Sequence, residues 1–521
     1  MKPVESVIIL PSLERFVNPA LAFIRGAAAS CGFSGSALND IEVAAEEALT
    51  NVIKHAFEGS ADETFKLSVR FTDTDFMITV FEKGMPFSPD RVPDFDPVKL
   101  ENTLNTDGLG VYLMKKTMDD VIFENLGRDG KSLTLVKHIK DAHIKRIMEN
   151  DGSGAGNAGG AQELSGAAHA PSVAVNEVLV KSPHAHATEN VAFDIRLFRP
   201  EDALEISRCA YKSYGYTYEP YIYYPEKIIE MNGEGKLRSF IAAGRDGGEI
   251  LGHIAFKYKN AGERIAEIGV AFVRPEYRKS GIYKAMMNFS HEKALELKLL
   301  GLYGRAVTSH IGSQKILEPM GYVACGVFLG LFPDDVDFKS ITGKIRQKES
   351  GLLFYRPILE EKERAIYVPA RHENKISEIF KSCNISVKLG EGISKPGAAQ
   401  SRINVNMVPV LNIADVEVNF IGADIIHELK STLHNLRQKH IDAVFLHVGI
   451  EDPCASFVAE QCELMGFFFS GVLPYGQNGK HEFILQYMNN LEIDYDAIKP
   501  YSQRALEILN YVRSFGAGDA D

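Results

Sequence analysis

Three things are scarce in this chain of 521 residues: paired cysteines, positive charge in excess and long apolar runs. The cysteines, at positions 31, 209, 325, 383, 454 and 462, are scattered, with no CxxC pair and no metal-ligand spacing. That pattern excludes a disulfide framework and reads as reduced, packed thiols of a cytoplasmic protein. Lys and Arg number 57 against 69 Asp and Glu, a net charge of -12. Nucleic acids and anionic membranes need a basic face, so neither is an expected partner. The N-terminal "MKPVESVIILPSLERF" carries only a four-residue apolar run, Val7 to Leu10, far short of a signal-peptide core. No segment approaches the ~20 apolar residues of a membrane span.

What is present is a soluble, multi-domain composition. Hydrophobic residues make up 45% and charged residues 24%, and the length predicts about three domains. The clearest break is "DGSGAGNAGGAQELSGAAHAP", Asp151 to Pro171, too poor in large side chains to repay ordering. A flexible linker of ~40 residues there would span about 35 Å root-mean-square. Residues 1–142 read as mixed α/β, with a helix over "LNDIEVAAEEALTNVIKHAF". Asn39 is the expected N-cap and Glu42 completes a capping box. "FKLSVRFTD" and "DFMITVFEKG" alternate at period two as a hairpin. Residues 191–345 repeat strand, helix and hairpin, with a turn at Asp246-Gly247-Gly248. Residues 346–495 partly echo that outline, which predicts an internal duplication, and 496–521 read as a helix and a frayed tail.

Within the first helix, Glu47 and Asn51 stand four residues apart on one face, beside Ala48, Leu49, Val52 and Ile53. A carboxylate and a carboxamide there need solvent or a ligand. "FEKGMPFSPD" follows at a strand end, and "TDGLGVYLMKK" opens a later helix with Gly108-Leu109-Gly110. Together the three stretches resemble the boxes of the GHKL ATPase superfamily, in its anti-sigma-factor serine/threonine kinase branch. The resemblance implies an ATPase α/β sandwich that binds Mg-ATP. Asn51 would hold Mg²⁺, which takes oxygen ligands and few of them from protein. Glu47 would act as general base. Gly108, Leu109 and Gly110 would bring backbone N–H groups to the phosphates. Glu82, where the family usually has Asp, and Gly84 would meet the adenine. Implied partners are an anti-sigma antagonist (STAS-like) or a sigma factor, and a homodimer through the ATPase domain.

A second constellation is "VAFVRPEYRKSGIYKAMM", Val270 to Met287, a strand, a basic loop and a helix opened by Gly281. Loop N–H groups and a helix N-terminus make an anion nest. This resembles the pyrophosphate loop of the GNAT acetyltransferase superfamily. It implies acetyl-CoA, or another acyl-CoA, on Arg278, Lys279, Ser280, Gly281, Ile282 and Tyr283, with Phe272 and Val273 on the pantetheine arm. Tyr283 replaces a small residue and is expected to crowd the junction. Glu267 is the candidate general base, and Leu317 occupies the place of the usual acid, Tyr. Residues 346–495 carry no such loop: Gly422 alone cannot make the nest, so this unit resembles a degenerate GNAT-like domain. The expected function is a cytoplasmic bacterial signalling regulator, an anti-sigma-type kinase fused to an acyl-CoA-binding module. The alternatives are an N-acetyltransferase controlled by the nucleotide domain and a non-catalytic sensor of both ligands.

Overall fold

The computed structural model describes residues 4–57, 63–87, 109–139, 191–216, 218–245, 249–260, 262–332, 347–409, 411–476, 479–489 and 491–516. The expected linker, Gly108 and the turn at Asp246–Gly248 lie outside them. The chain forms two compact units, Met1–Ala187 and Thr188–Asp521.

The first unit is a two-layer α/β sandwich. Its elements are β1 (Val4–Pro11), α1 (Val17–Ser30), α2 (Ser36–Asn51), β2 (Thr64–Phe71), β3 (Asp75–Glu82), α3 (Leu109–Thr117), β4 (Asp120–Asn125) and β5 (Lys131–His138). The strands form one antiparallel sheet, ordered β1-β2-β3-β5-β4. "DFMITVFE" alternates half-buried and buried along β3, as a sheet covered on one face requires. Phe65, Leu67, Phe76, Ile78 and Val80 meet Ile24, Ile41, Ala45, Ala48 and Leu49 of the helices in a single core. α2 starts earlier than the sequence predicts. Its N-cap is Gly35 at φ 58°, and Asn39 lies inside, its N–H donating to the Gly35 carbonyl at 3.2 Å. Leu38 is buried, so core packing extends the helix past the local capping signal. At its other end α2 runs into a π-helical turn, Val52–Ala56.

The second unit is built on one 12-stranded sheet. Its first half holds β6 (Phe193–Leu197), α4 (Ala203–Tyr214), α5 (Pro225–Gly233), β7 (Leu237–Gly244), β8 (Ile250–Lys257), β9 (Ile265–Val273), α6 (Ile282–Glu296), β10 (Gly301–Val307), α7 (Gln314–Leu317), β11 (Val323–Phe332) and β12 (Glu349–Pro357). The remainder holds β13 (Arg364–Ile366), α8 (Glu373–Ser382), β14 (Val387–Leu389), β15 (Arg402–Val408), β16 (Ile413–Phe420), α9 (Ile425–Gln438), β17 (Ala443–Gly449), α10 (Ala455–Glu463), β18 (Phe468–Leu473), β19 (Glu482–Met488) and α11 (Gln503–Gly516). β13 and β14 pair separately.

The strand order is β15-β16-β17-β19-β18-β11-β12-β10-β9-β8-β7-β6. Read outward from the β18–β11 contact, both directions give the same sequence of roles. A late hairpin strand comes first, then the strand inserted beside it, then a parallel pair, then an antiparallel edge. The contact itself is glycine on glycine, Gly326 opposite Gly471. A methyl on Gly326 would lie 2.6 Å from the Ser470 carbonyl oxygen, and one on Gly471 would lie 2.6 Å from the Gly326 Cα. β12, at residues 349–357, lies between β10 and β11, so a boundary at 345 falls ahead of a strand that completes the first half's sheet. α11 covers the seam with Ala505, Ile508, Leu509 and Val512 buried. The two parallel pairs differ. β16 and β17 stay paired from Ile413–Ala443 to Val418–Val448, whereas β9 and β10 pair only at Ile265–Gly301, Ala266–Leu302 and Glu267–Tyr303 and then splay.

Candidate functional sites

In the first unit, α2 and the start of α3 converge. A methyl on Gly110 would lie 2.7 Å from Glu47 Oε2, 3.4 Å from Asn51 Nδ2 and 3.7 Å from Asn51 Oδ1. The space over the first turn of α3 is therefore kept open by glycine and faced by both polar side chains. A helix N-terminus carries unpaired N–H groups and partial positive charge, which suits phosphate. An amide oxygen beside it suits a cation bound to that phosphate, so Gly110 and Asn51 fit a Mg-nucleotide. Glu47 is half-buried, and burial raises its pKa above the ordinary carboxylate value. Glu46 raises it further, and Lys54 opposes. The π turn follows directly after Asn51 and leaves Lys54 and His55 exposed. Sequence periodicity alone gave no sign of that turn.

Glu82 ends β3 and is 7% exposed. Its carboxylate accepts the Gly84 N–H and pairs with Lys131 at 2.8 Å. Lys131 stands opposite Glu82 in the β3–β5 register and also donates to the Met85 carbonyl. Met85 N–H donates to the Ala56 carbonyl at 2.6 Å, and a Cβ on Gly84 would run into that same carbonyl. Gly84 thus permits the close approach that ties the second box to the π turn. Lys131 went unnoticed in the sequence because its role depends on cross-strand register. Of the third box, Gly108 lies outside the described residues and the backbone of Leu109 opens α3.

In the second unit, the splay of β9 from β10 opens a cavity of ≈ 750 Å³, within the usual size of a cofactor site. Phe272, Val273, Arg278, Lys279, Gly281, Ile282 and Tyr283 line it, together with Tyr214, Tyr218, Arg305, His310 and Leu317. Lys279 at φ 70° and Gly281 at φ 86° turn the loop into α6. Ser280 points elsewhere, its hydroxyl donating to the Tyr277 carbonyl at 2.6 Å. Lys284 and Lys315 add charge, and no carboxylate belongs to the lining. A cationic mouth on an apolar cleft fits a polyphosphorylated thioester. Tyr283 forms part of the wall, as its bulk predicts.

Glu267 departs from its expected role. Arg305 grips it with Nη2 at 2.9 Å and Nε at 3.1 Å, and Lys257 stands 3.7 Å away. Burial alone would raise its pKa, but Arg305 and Lys257 outweigh that and lower it. A carboxylate held this way is a poor proton acceptor, so the geometry argues against Glu267 as general base. The tyrosine wall was missed, although its signal was visible. Tyr211, Tyr214, Tyr216, Tyr218, Tyr221, Tyr223 and Tyr224 crowd one short stretch, and Tyr214 stacks on Tyr218 at 4.3 Å.

The corresponding place in the other half is filled by the chain itself. At the start of α9, Gly422 N–H donates to Ser401 Oγ at 3.0 Å and Ala423 N–H to the Ala399 carbonyl at 3.0 Å. The backbone at 399–401 would meet any Cβ on Gly422.

A carboxylate and a carboxamide on one helix face a glycine at a second helix N-terminus over an antiparallel sheet, an arrangement in keeping with a histidine kinase-like ATPase domain. The family model described as histidine kinase-like ATPase domain matches residues 10–137, and that of the acetyltransferase (GNAT) family matches residues 201–322. Serine-protein kinase RsbW of Listeria innocua is 28% identical over 145 residues, 27% of this chain and 89% of that protein. RsbW of Bacillus licheniformis is 33% identical over 117 residues, 21% of this chain and 72% of that protein. Among solved structures, the ribosomal-protein-S18-alanine N-acetyltransferase from Escherichia coli matches with a TM-score of 0.27 and 13% identity, over 33% of this chain and 97% of that one. The spermidine/spermine N-acetyltransferase SpeG from Vibrio cholerae gives 0.26 and 18%, over 32% and 95%. Through its first unit the chain belongs to the RsbW family of serine-protein kinases, joined in one polypeptide to a GNAT domain. Both are families of transferases.

Proposed function

We propose that the chain is an ATP-dependent serine/threonine protein kinase of anti-sigma type, fused to an acyl-CoA-binding module. The observation that carries this reading is the convergence of Glu47 and Asn51 on Gly110. Bound Mg²⁺ would supply charge neutralisation at the phosphates. Asn51 would offer it one oxygen, and the first turn of α3 would orient the phosphate chain. Glu47, its proton affinity raised by burial, would take the proton of the attacking hydroxyl. Glu82 would accept from the adenine with the carboxylate that Lys131 and Gly84 hold in place. The expected acceptor is a small STAS-like antagonist, and a sigma factor would be the sequestered partner. Val4, Val7 and Ile9 are exposed on edge strand β1, which supports a homodimer through this unit. A cytoplasmic site of action agrees with the cysteine pattern. Among the described residues no helix is long and apolar enough to cross a membrane. The test is transfer of the γ-phosphate to purified STAS-like proteins of the same genome. Loss of transfer in Glu47→Gln with ATP binding kept supports the reading, and unchanged transfer overturns it.

For the second unit, the paired state of Glu267 and the presence of Leu317 in the cavity wall favour acyl-CoA sensing over acetyl transfer. The domain arrangement we propose is 1–142 as ATPase, 143–190 as linker, a GNAT domain from 191 that closes with β12 at 357, a degenerate copy to 495, and a C-terminal helix across the seam. The mirrored strand order supports the duplication. The self-filled start of α9 supports one acyl-CoA per chain.

A further inference from the structure

The cavity of the second unit has two chemically distinct ends. Its mouth is cationic, with Arg278 and Lys279 on the loop and Lys284 in the first turn of α6. Its inner end lies where β9 and β10 begin to splay. Glu267 and Tyr303 are the last paired residues, so Ile268 and Gly304 are the first to part, and both line the cavity. They stay close: a methyl on Gly304 would lie 3.2 Å from the Ile268 carbonyl oxygen and 3.5 Å from Ile268 Cγ2. The one cation beside them, Arg305, is held by Glu267 at 2.9 Å.

The floor at this end is apolar. Met287 of α6, about 9 Å further along the helix than Gly281, shares the cavity wall with Ile254, Ile268, Ala306, Leu317 and Met320. The first five are buried in one hydrophobic cluster, except that Met320 only packs against it and stays half-buried. None of these six side chains carries a charge or a hydrogen-bond donor. Leu317 stands where the resemblance places a tyrosine, so a branched alkyl group replaces a ring with a hydroxyl. Methionine side chains are unbranched and adapt to ligands of varied shape. The phosphates of a bound thioester belong at the cationic mouth, so its acyl end runs inward to this floor. An acetyl group could offer the floor a single methyl.

We propose that this floor receives a linear acyl chain longer than acetyl, in the butyryl-to-hexanoyl range, and that Leu317 and Met320 set the length it accepts. The inference rests on the acyl-CoA reading of the cavity. The test is calorimetric titration of the full chain with coenzyme A and with its acetyl, butyryl and hexanoyl thioesters. Wild-type binding should tighten along the thioester series, by up to about fourfold for each methylene that is buried. Leu317→Phe adds bulk to the floor and should flatten the series, so that hexanoyl-CoA loses most of its advantage over acetyl-CoA. The readout is the ratio of the two affinities, which a general loss of stability would not move. Where Leu317→Phe does not fold, Met320→Phe makes the same cut from a half-buried position. Wild-type chain that binds coenzyme A and all three thioesters within about twofold of one another overturns the chain site and leaves the acyl-CoA reading standing. A series equally steep in wild type and in the folded variant also overturns it, because the chain then lies elsewhere. Wild-type chain that binds none of the four ligands overturns the acyl-CoA reading itself.

Discussion

Replacing Lys131 by Met would remove the ammonium group and leave Glu82 buried without its counter-ion. The two side chains are only 16% and 6% exposed and stand 2.8 Å apart. At an effective dielectric of 20, two charges at that distance attract by about 6 kcal/mol. Most of that is offset by the desolvation both groups undergo on folding. What remains on truncation is the cost of a stranded buried charge, about 3 kcal/mol at the low end of the range for buried pairs. For a unit of this size that is a fall in Tm of roughly 10 °C. Lys131 also holds the Met85 carbonyl, so the segment around Glu82 and Gly84 should loosen and, on the proposed adenine contact of Glu82, ATP affinity should drop with stability. The assay is thermal unfolding of the full chain by circular dichroism, with and without Mg-ATP, following the transition that nucleotide shifts. Glu82→Gln combined with Lys131→Met should recover more than half of the loss, because a neutral amide tolerates burial and still accepts the Gly84 N–H. A single variant that melts within about 2 °C of wild type would refute the argument. The pair would then be worth no more than an exposed salt bridge.

Other outcomes follow from the same geometry. Glu47→Gln should cut phosphoryl transfer by ~10²-fold or more with ATP binding kept, the usual scale for a general base, measured by single-turnover kinetics. The rate should rise with pH through the raised pKa of Glu47, and Glu46→Gln should move that limb to lower pH by removing a neighbouring negative charge. The sign for stability is the reverse: the folded state binds the proton more tightly than the unfolded one, so the Glu47 contribution is lost as pH climbs from the unfolded to the folded pKa. Gly326→Ala would press a methyl to 2.6 Å from the Ser470 carbonyl, and a clash with backbone should cost about 2 kcal/mol or more, read as a lower denaturation midpoint of the second unit. Gly281→Ala meets open space but keeps φ at 86°, so it should cost about 1 kcal/mol from backbone strain alone, with weaker acetyl-CoA binding.

Much of this was legible in the sequence. Period-two runs located β2 and β3, and the Glu47–Asn51 spacing placed both groups on one face. Local signals failed where tertiary packing decides. Asn39 is a good cap in isolation, but burial of Leu38 starts α2 a turn sooner. The π turn after Asn51 ends at Ala56, whose carbonyl accepts the Met85 N–H, a long-range contact that no local pattern encodes. Glu267 reads as a base on β9 until Arg305 arrives from β10. Lys131 acts across strands, and register cannot be read from one segment. An internal duplication was an expectation from the outline alone, and the strand order and the Gly326–Gly471 contact emerge only from long-range pairing.

The most direct test is calorimetric titration of the full chain with ATP, in Mg²⁺ and in EDTA, with wild type beside Asn51→Ala. The account predicts tight binding by wild type in Mg²⁺ that weakens strongly in EDTA and in the variant. Failure of wild type to bind, or equal binding by Asn51→Ala, would contradict a working nucleotide site at Glu47, Asn51 and Gly110.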